Sequence, residues 1–112
     1  MKDYKQITKD ISEYTSALHK LAPEALLGFS DMAKGATKSG ALDEKTKELI
    51  ALALGVAARC DGCLGFHAKQ LVALGASREE VGETLAIAVY MGGGPSLMYA
   101  ADALRAFDQF KA

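Results

Sequence analysis

Both cysteines of this chain and one of its two histidines fall within eight residues, Cys60-Asp61-Gly62-Cys63-Leu64-Gly65-Phe66-His67. Two thiols separated by two residues can close a small disulfide, and each can lower the other's pKa. A histidine four residues after the second cysteine shares its face of a helix, close enough to exchange a proton with it. The chemistry these types and spacings suit is thiol redox, with Glu48 as a further acid–base candidate.

A cysteine attacks as its thiolate, so its pKa must fall towards neutrality. Cys63 follows the Asp61-Gly62 turn signal, where a new helix is expected to begin. Unpaired N–H groups and the positive end of the helix dipole would stabilise a thiolate there. His67 lies one turn on, about 40° round the helix, and can accept or relay the proton. Glu48 precedes Cys60 by twelve residues, roughly 18 Å of helix, and a chain reversal at Asp61-Gly62 carries His67 back about 9 Å. Side-chain length and helix tilt then allow carboxylate and imidazole to meet, directly or through a water. On a helix that also carries Lys45 and Lys47, the alternative for Glu48 is a solvated surface charge.

Other uses of a Cys-x-x-Cys pair fit less well. A thioredoxin site follows a strand in a βαβ unit, whereas the Leu49–Ala58 segment before these cysteines reads as helix. Haem attachment needs histidine directly after the second cysteine, where Leu64 stands. Structural zinc needs four ligands. Cys60, Cys63 and His67 supply three, leaving distant His19 or a carboxylate for the fourth. An inert pair of buried thiols is the remaining alternative.

Composition narrows the function class. The 112 residues suit one domain, half of them are hydrophobic, and 13 basic against 14 acidic residues leave a formal charge of -1. The basic stripe of a nucleic-acid binder is missing. No segment approaches the ~20 apolar residues of a membrane span. Met1-Lys2-Asp3-Tyr4-Lys5-Gln6 is too polar for a signal peptide. The expected location is therefore the cytoplasm, where a close cysteine pair is more often catalytic or metal-binding than structural. The many alanines favour close helix packing and suggest that other subunits cover part of the apolar surface.

The elements that must position these residues all read as helix, giving an all-α chain. A first helix spans about 4–21 and a second starts at Pro23, losing its signal across Gly35 to Gly40. Asp43 is a good N-cap for a third, apolar helix from Glu44 to about Arg59. A fourth runs from about Cys63 to Leu74 and stops near Gly75. Ser77-Arg78-Glu79-Glu80 reads as a capping box opening a fifth, to about Met91. After Gly92-Gly93-Gly94-Pro95 a sixth covers about 96–110.

Glu48, eleven intervening residues, Cys60-x-x-Cys63, three more and His67 together resemble the signature of alkylhydroperoxidase D-like proteins of the carboxymuconolactone decarboxylase superfamily. The resemblance covers about 22–110. It implies an all-helical fold, assembly as a homotrimer or homohexamer, and peroxide reduction with no metal or organic cofactor. It implies that Cys63 attacks the peroxide and becomes the sulfenic acid, with Cys60 as proton donor and resolving thiol. Glu48 and His67 would form the proton relay, and a separate thiol or dithiol partner would restore the pair. Proper carboxymuconolactone decarboxylases lack this cysteine arrangement, so the resemblance points away from decarboxylation. The chain departs from the pattern at Gly62, where the alkylhydroperoxidase D type carries a histidine. A water is expected to fit in the space that glycine leaves. Two rival functions stay open: a disulfide reductase or electron relay, and a redox-sensing helical oligomer that binds a ligand or partner.

Overall fold

Four of the chain's helices begin at a side chain that accepts from the orphan N–H groups of the first turn. The computed structural model describes all 112 residues as six helices and no strand. They are α1 (Tyr4–Leu21), α2 (Pro23–Thr37), α3 (Glu44–Ala57), α4 (Asp61–Ala73), α5 (Arg78–Gly92) and α6 (Gly94–Lys111). Asp3 accepts from the N–H groups of Lys5 and Gln6 to cap α1, and Asp43 accepts from Thr46 to cap α3. Ser77 and Glu80 form the reciprocal capping box of α5. Pro23 occupies the first turn of α2, where its missing N–H has no partner to lose. Between α5 and α6 the break contracts to Gly93 alone, at φ 73°.

The start of α4 differs from the sequence expectation. The chain does not reverse at Asp61-Gly62, and α4 does not begin at Cys63. The turn comes earlier: Cys60 N–H donates to Gly55 C=O at 3.1 Å and Arg59 N–H to Val56 C=O at 3.1 Å. This paired closure is the Schellman ending usually built on glycine. Here Arg59 takes the left-handed position, at φ 55°, a conformation that costs a non-glycine residue about 1–2 kcal/mol. Asp61 and Gly62 therefore lie inside the first turn of α4, where an aspartate favours the dipole's positive end. α4 ends in a second Schellman turn, through Gly75 at φ 77°.

α4 is the central element, packed against α1, α3 and α6. Its buried Leu64, Ala68 and Leu71 join Leu52 and Val56 of α3, Val81 and Leu85 of α5, and Ala103, Ala106 and Phe107 of α6 in one core. Gly65 lets α1 come close, since a Cβ there would stand 2.6 Å from Thr8 Cγ2. α2 is the outlier: it buries no residue and meets only α1 and α3. No helix is long and apolar enough to cross a membrane.

Candidate active site

The Arg59 turn makes Cys60 both the residue after one helix and the cap of the next. Its backbone is extended, at φ -112° and ψ 100°, and its Sγ accepts from the N–H of Cys63 at 3.2 Å. Cys60 is thus the N-cap of α4 and Cys63 sits at N3. The two are joined as a disulfide across a Cα–Cα distance of 5.2 Å. Both sulfurs stand where free N–H groups and the helix dipole favour negative charge.

Cys63 is pressed against α3. A Cβ on buried Gly55 would lie 3.0 Å from that of Cys63, so glycine at 55 sets the closeness of the α3–α4 crossing. The same crossing brings Glu48 to His67. His67 Nδ1 and Glu48 Oε2 are 2.6 Å apart, a direct contact with no intervening water. Glu48 is only 5 % exposed, so it is no solvated surface charge. When the carboxylate is ionised it only accepts, which requires the proton on Nδ1 and leaves Nε2 to exchange one. The imidazole lies on α4 one turn beyond Cys63.

Of the four residues singled out in the sequence, the structure joins Cys60 to Cys63 at the start of α4 and Glu48 to His67 across the α3–α4 crossing. His19 does not join them: it lines a groove between α1 and α2 with Ser16, Leu26 and Phe29. No three His, Cys, Asp or Glu side chains converge as a metal-ligand set.

The space expected to hold a water beside Gly62 is filled. Ile11 Cδ1, from α1, lies 2.8 Å from where a Cβ at position 62 would stand. An apolar side chain covers the point where the related pattern has an imidazole. Sequence reasoning also missed Gly55, although a lone glycine within a helical pattern is a packing signal. Ile11 carried no such signal, because its contact depends on how α1 docks.

Comparison with known proteins agrees with this architecture. The family model described as "Carboxymuconolactone decarboxylase family" matches residues 23–106. The chain belongs to the carboxymuconolactone decarboxylase family. It is similar to an apo crystal structure of a carboxymuconolactone decarboxylase family protein from Legionella pneumophila. That likeness has a TM-score of 0.96 and 60 % identity, covering 97 % of each chain. An uncharacterized protein of Cupriavidus necator is 43 % identical over 110 residues, 98 % of this chain and 97 % of its own length. A protein named "Uncharacterized protein 4 in cox locus", from Paracoccus denitrificans, is 33 % identical over 81 residues, 72 % of this chain and 73 % of its own. Within this family the present chain carries its cysteine pair as an N-cap and N3 couple.

The Ile11–Gly62 contact generates a stability test. Overpacking a tight site typically costs about 1–3 kcal/mol. Gly62→His should lower stability in urea unfolding, and Ile11→Ala should relieve part of the loss. The double-mutant cycle should show coupling of at least about 0.5 kcal/mol. Strictly additive effects would mean that Ile11 does not occupy the position.

Proposed function

We propose that this chain is a thiol-dependent hydroperoxide reductase. On this reading residues 1–112 form one helical domain that works in the cytoplasm, without metal or organic cofactor, as a homotrimer or homohexamer. The observation that carries it is the direct Glu48–His67 contact at 2.6 Å, one helical turn from Cys63. Cleaving a peroxide expels an alkoxide or hydroxide, a far poorer leaving group than a thiolate, so proton delivery matters much more than in disulfide exchange. A buried carboxylate holding an imidazole one helical turn from a cysteine is suited to that delivery.

In the proposed cycle the imidazole, oriented by its contact with Glu48, takes the Cys63 proton. The Cys63 thiolate attacks one peroxide oxygen, the O–O bond breaks, and the relayed proton leaves with the alcohol or water. Cys63 is then a sulfenic acid. Cys60 attacks its sulfur, the hydroxyl departs as water, and the disulfide forms before further oxidation. The two electrons taken by the peroxide come from the two thiols. A dithiol partner restores them by exchange.

One observation favours a second reading, a disulfide reductase. Cys60 holds the N-cap and accepts an N–H bond, which suits a thiolate attacking disulfides from the first position of the pair. Stopped-flow mixing separates the two. Under peroxide reduction, the pre-reduced protein oxidises promptly with peroxide, Cys60→Ser accumulates a sulfenic acid at Cys63, and Cys63→Ser stays largely unreactive. Protein that resists peroxide yet exchanges readily with disulfides through Cys60 would contradict the peroxidase reading.

Assembly is supported by apolar surface left outside the core. Leu27, Phe29 and Met32 are exposed on α2. Ile50, Leu54 and Ile87 line an apolar groove of about 390 Å³ between α3 and α5. Light scattering at micromolar concentration should give a multiple of the 11.8 kDa chain mass. A mass of one chain would contradict the proposal.

A further inference from the structure

We propose that Lys2 tunes the redox poise of the cysteine pair by neutralising Asp61, the first of the two residues between the cysteines. The inference rests on the dithiol chemistry proposed above, and makes Lys2 a positioning residue that acts through Asp61.

Lys2 is held far more firmly than a surface lysine usually is. Its Nζ lies 3.0 Å from Asp61 Oδ1 and 2.9 Å from Asp102 Oδ2. It also stands 5.2 Å from the centroid of the Tyr99 ring. The backbone that carries it is clamped by one side chain of α6: Gln109 Nε2 donates to Lys2 C=O at 2.9 Å, and Tyr4 N–H donates to Gln109 Oε1 at 2.8 Å. Tyr4, the next anchor along the chain, is fully buried. The hydrogen bonds it donates to Asp102 and Asp61 hold the ammonium's pKa above the ordinary lysine range, so it stays charged wherever the thiols titrate.

Asp61 of α4 and Asp102 of α6 are balanced by Lys2 and by Arg105, whose Nε is 3.8 Å from Asp102 Oδ1. Burial pushes the Tyr4 phenol of α1 up to about 12, so it is neutral at working pH. Arg59 precedes Cys60, Glu48 stands on α3, and His67 lies one turn past Cys63 on α4. Without Lys2, a net negative charge remains at the first residue of α4, next to the cap cysteine. That charge opposes a thiolate and so destabilises the reduced form relative to the disulfide. Lys2 therefore makes the disulfide easier to reduce and the reduced pair more reactive. The Lys2 and Asp61 side chains are 39 % and 42 % exposed, so solvent and salt screen the effect.

The test is the thiol–disulfide equilibrium against dithiothreitol at neutral pH and low salt, with the Cys60–Cys63 disulfide counted by alkylation and mass spectrometry. Lys2→Met should shift the equilibrium about threefold towards the disulfide, and the shift should shrink at high salt. Lys2→Arg should restore the wild-type value, and the Lys2→Met shift should be smaller in an Asp61→Asn background. A purely structural role would move melting temperature without this salt and charge pattern. An unshifted Lys2→Met in a protein whose wild-type pair cycles overturns this inference alone, as does a Lys2→Arg shift as large as that of Lys2→Met. A wild-type pair that forms no reversible disulfide overturns the redox reading and this inference together.

Discussion

A carboxylate buried on one helix and met by an imidazole on the next is the constraint on which this structure turns. Glu48 is 5 % exposed, and an unpaired charge at such a site is strongly destabilising. Its partner His67 lies on the far side of a helix reversal, so the pair exists only if α3 and α4 cross closely and in one register. Gly55 permits that closeness against Cys63. The Schellman turn through Arg59 fixes the register by tying Cys60 N–H to Gly55 C=O. One glycine thus receives the chain by its carbonyl and yields space to the second cysteine. The strain at Arg59 sits where it redirects the chain into the cysteine pair, consistent with backbone strain gathering at functional sites.

Seen this way, the cysteine pair is part of the fold's punctuation. Cys60 ends the α3 turn and caps α4, doing with sulfur what serine or aspartate does at other helices. The two sulfurs meet the helix N-terminus, and Glu48 reaches from α3 to His67 one turn further along α4. The α1 side contributes differently. Ile11 closes the space over Gly62, and the anchored Lys2 balances the charge of Asp61.

Much of this was legible in the sequence because the signals were local. Asp43, Pro23, Gly75 and the Ser77–Glu80 box mark helix ends by chemistry within a few residues, and each end falls where that chemistry puts it. The Glu48-Cys60-Cys63-His67 spacing followed from helical geometry once a reversal was assumed. The reversal itself was misplaced by a few residues. Asp61-Gly62 carries the stronger turn signal, yet helix geometry continues through it and bends at an arginine instead. A thiol is not an expected cap, so Cys60 gave no warning. Ile11 and Lys2 were illegible for a different reason: their partners lie 51 and 59 residues away, and only the docking of α1 brings them together. The unburied face of α2 follows from the same logic, since its apolar residues find no partner within the chain.

The central claim is that Glu48, acting through His67, raises the reactivity of Cys63. It is tested most directly by the pH profile of Cys63 alkylation in reduced Cys60→Ser protein, with Glu48 intact or replaced in Glu48→Gln. Glutamine keeps the shape and removes the carboxylate that faces the imidazole. The account predicts that the alkylation midpoint moves to higher pH and that the neutral-pH rate falls. Superimposable profiles would contradict it.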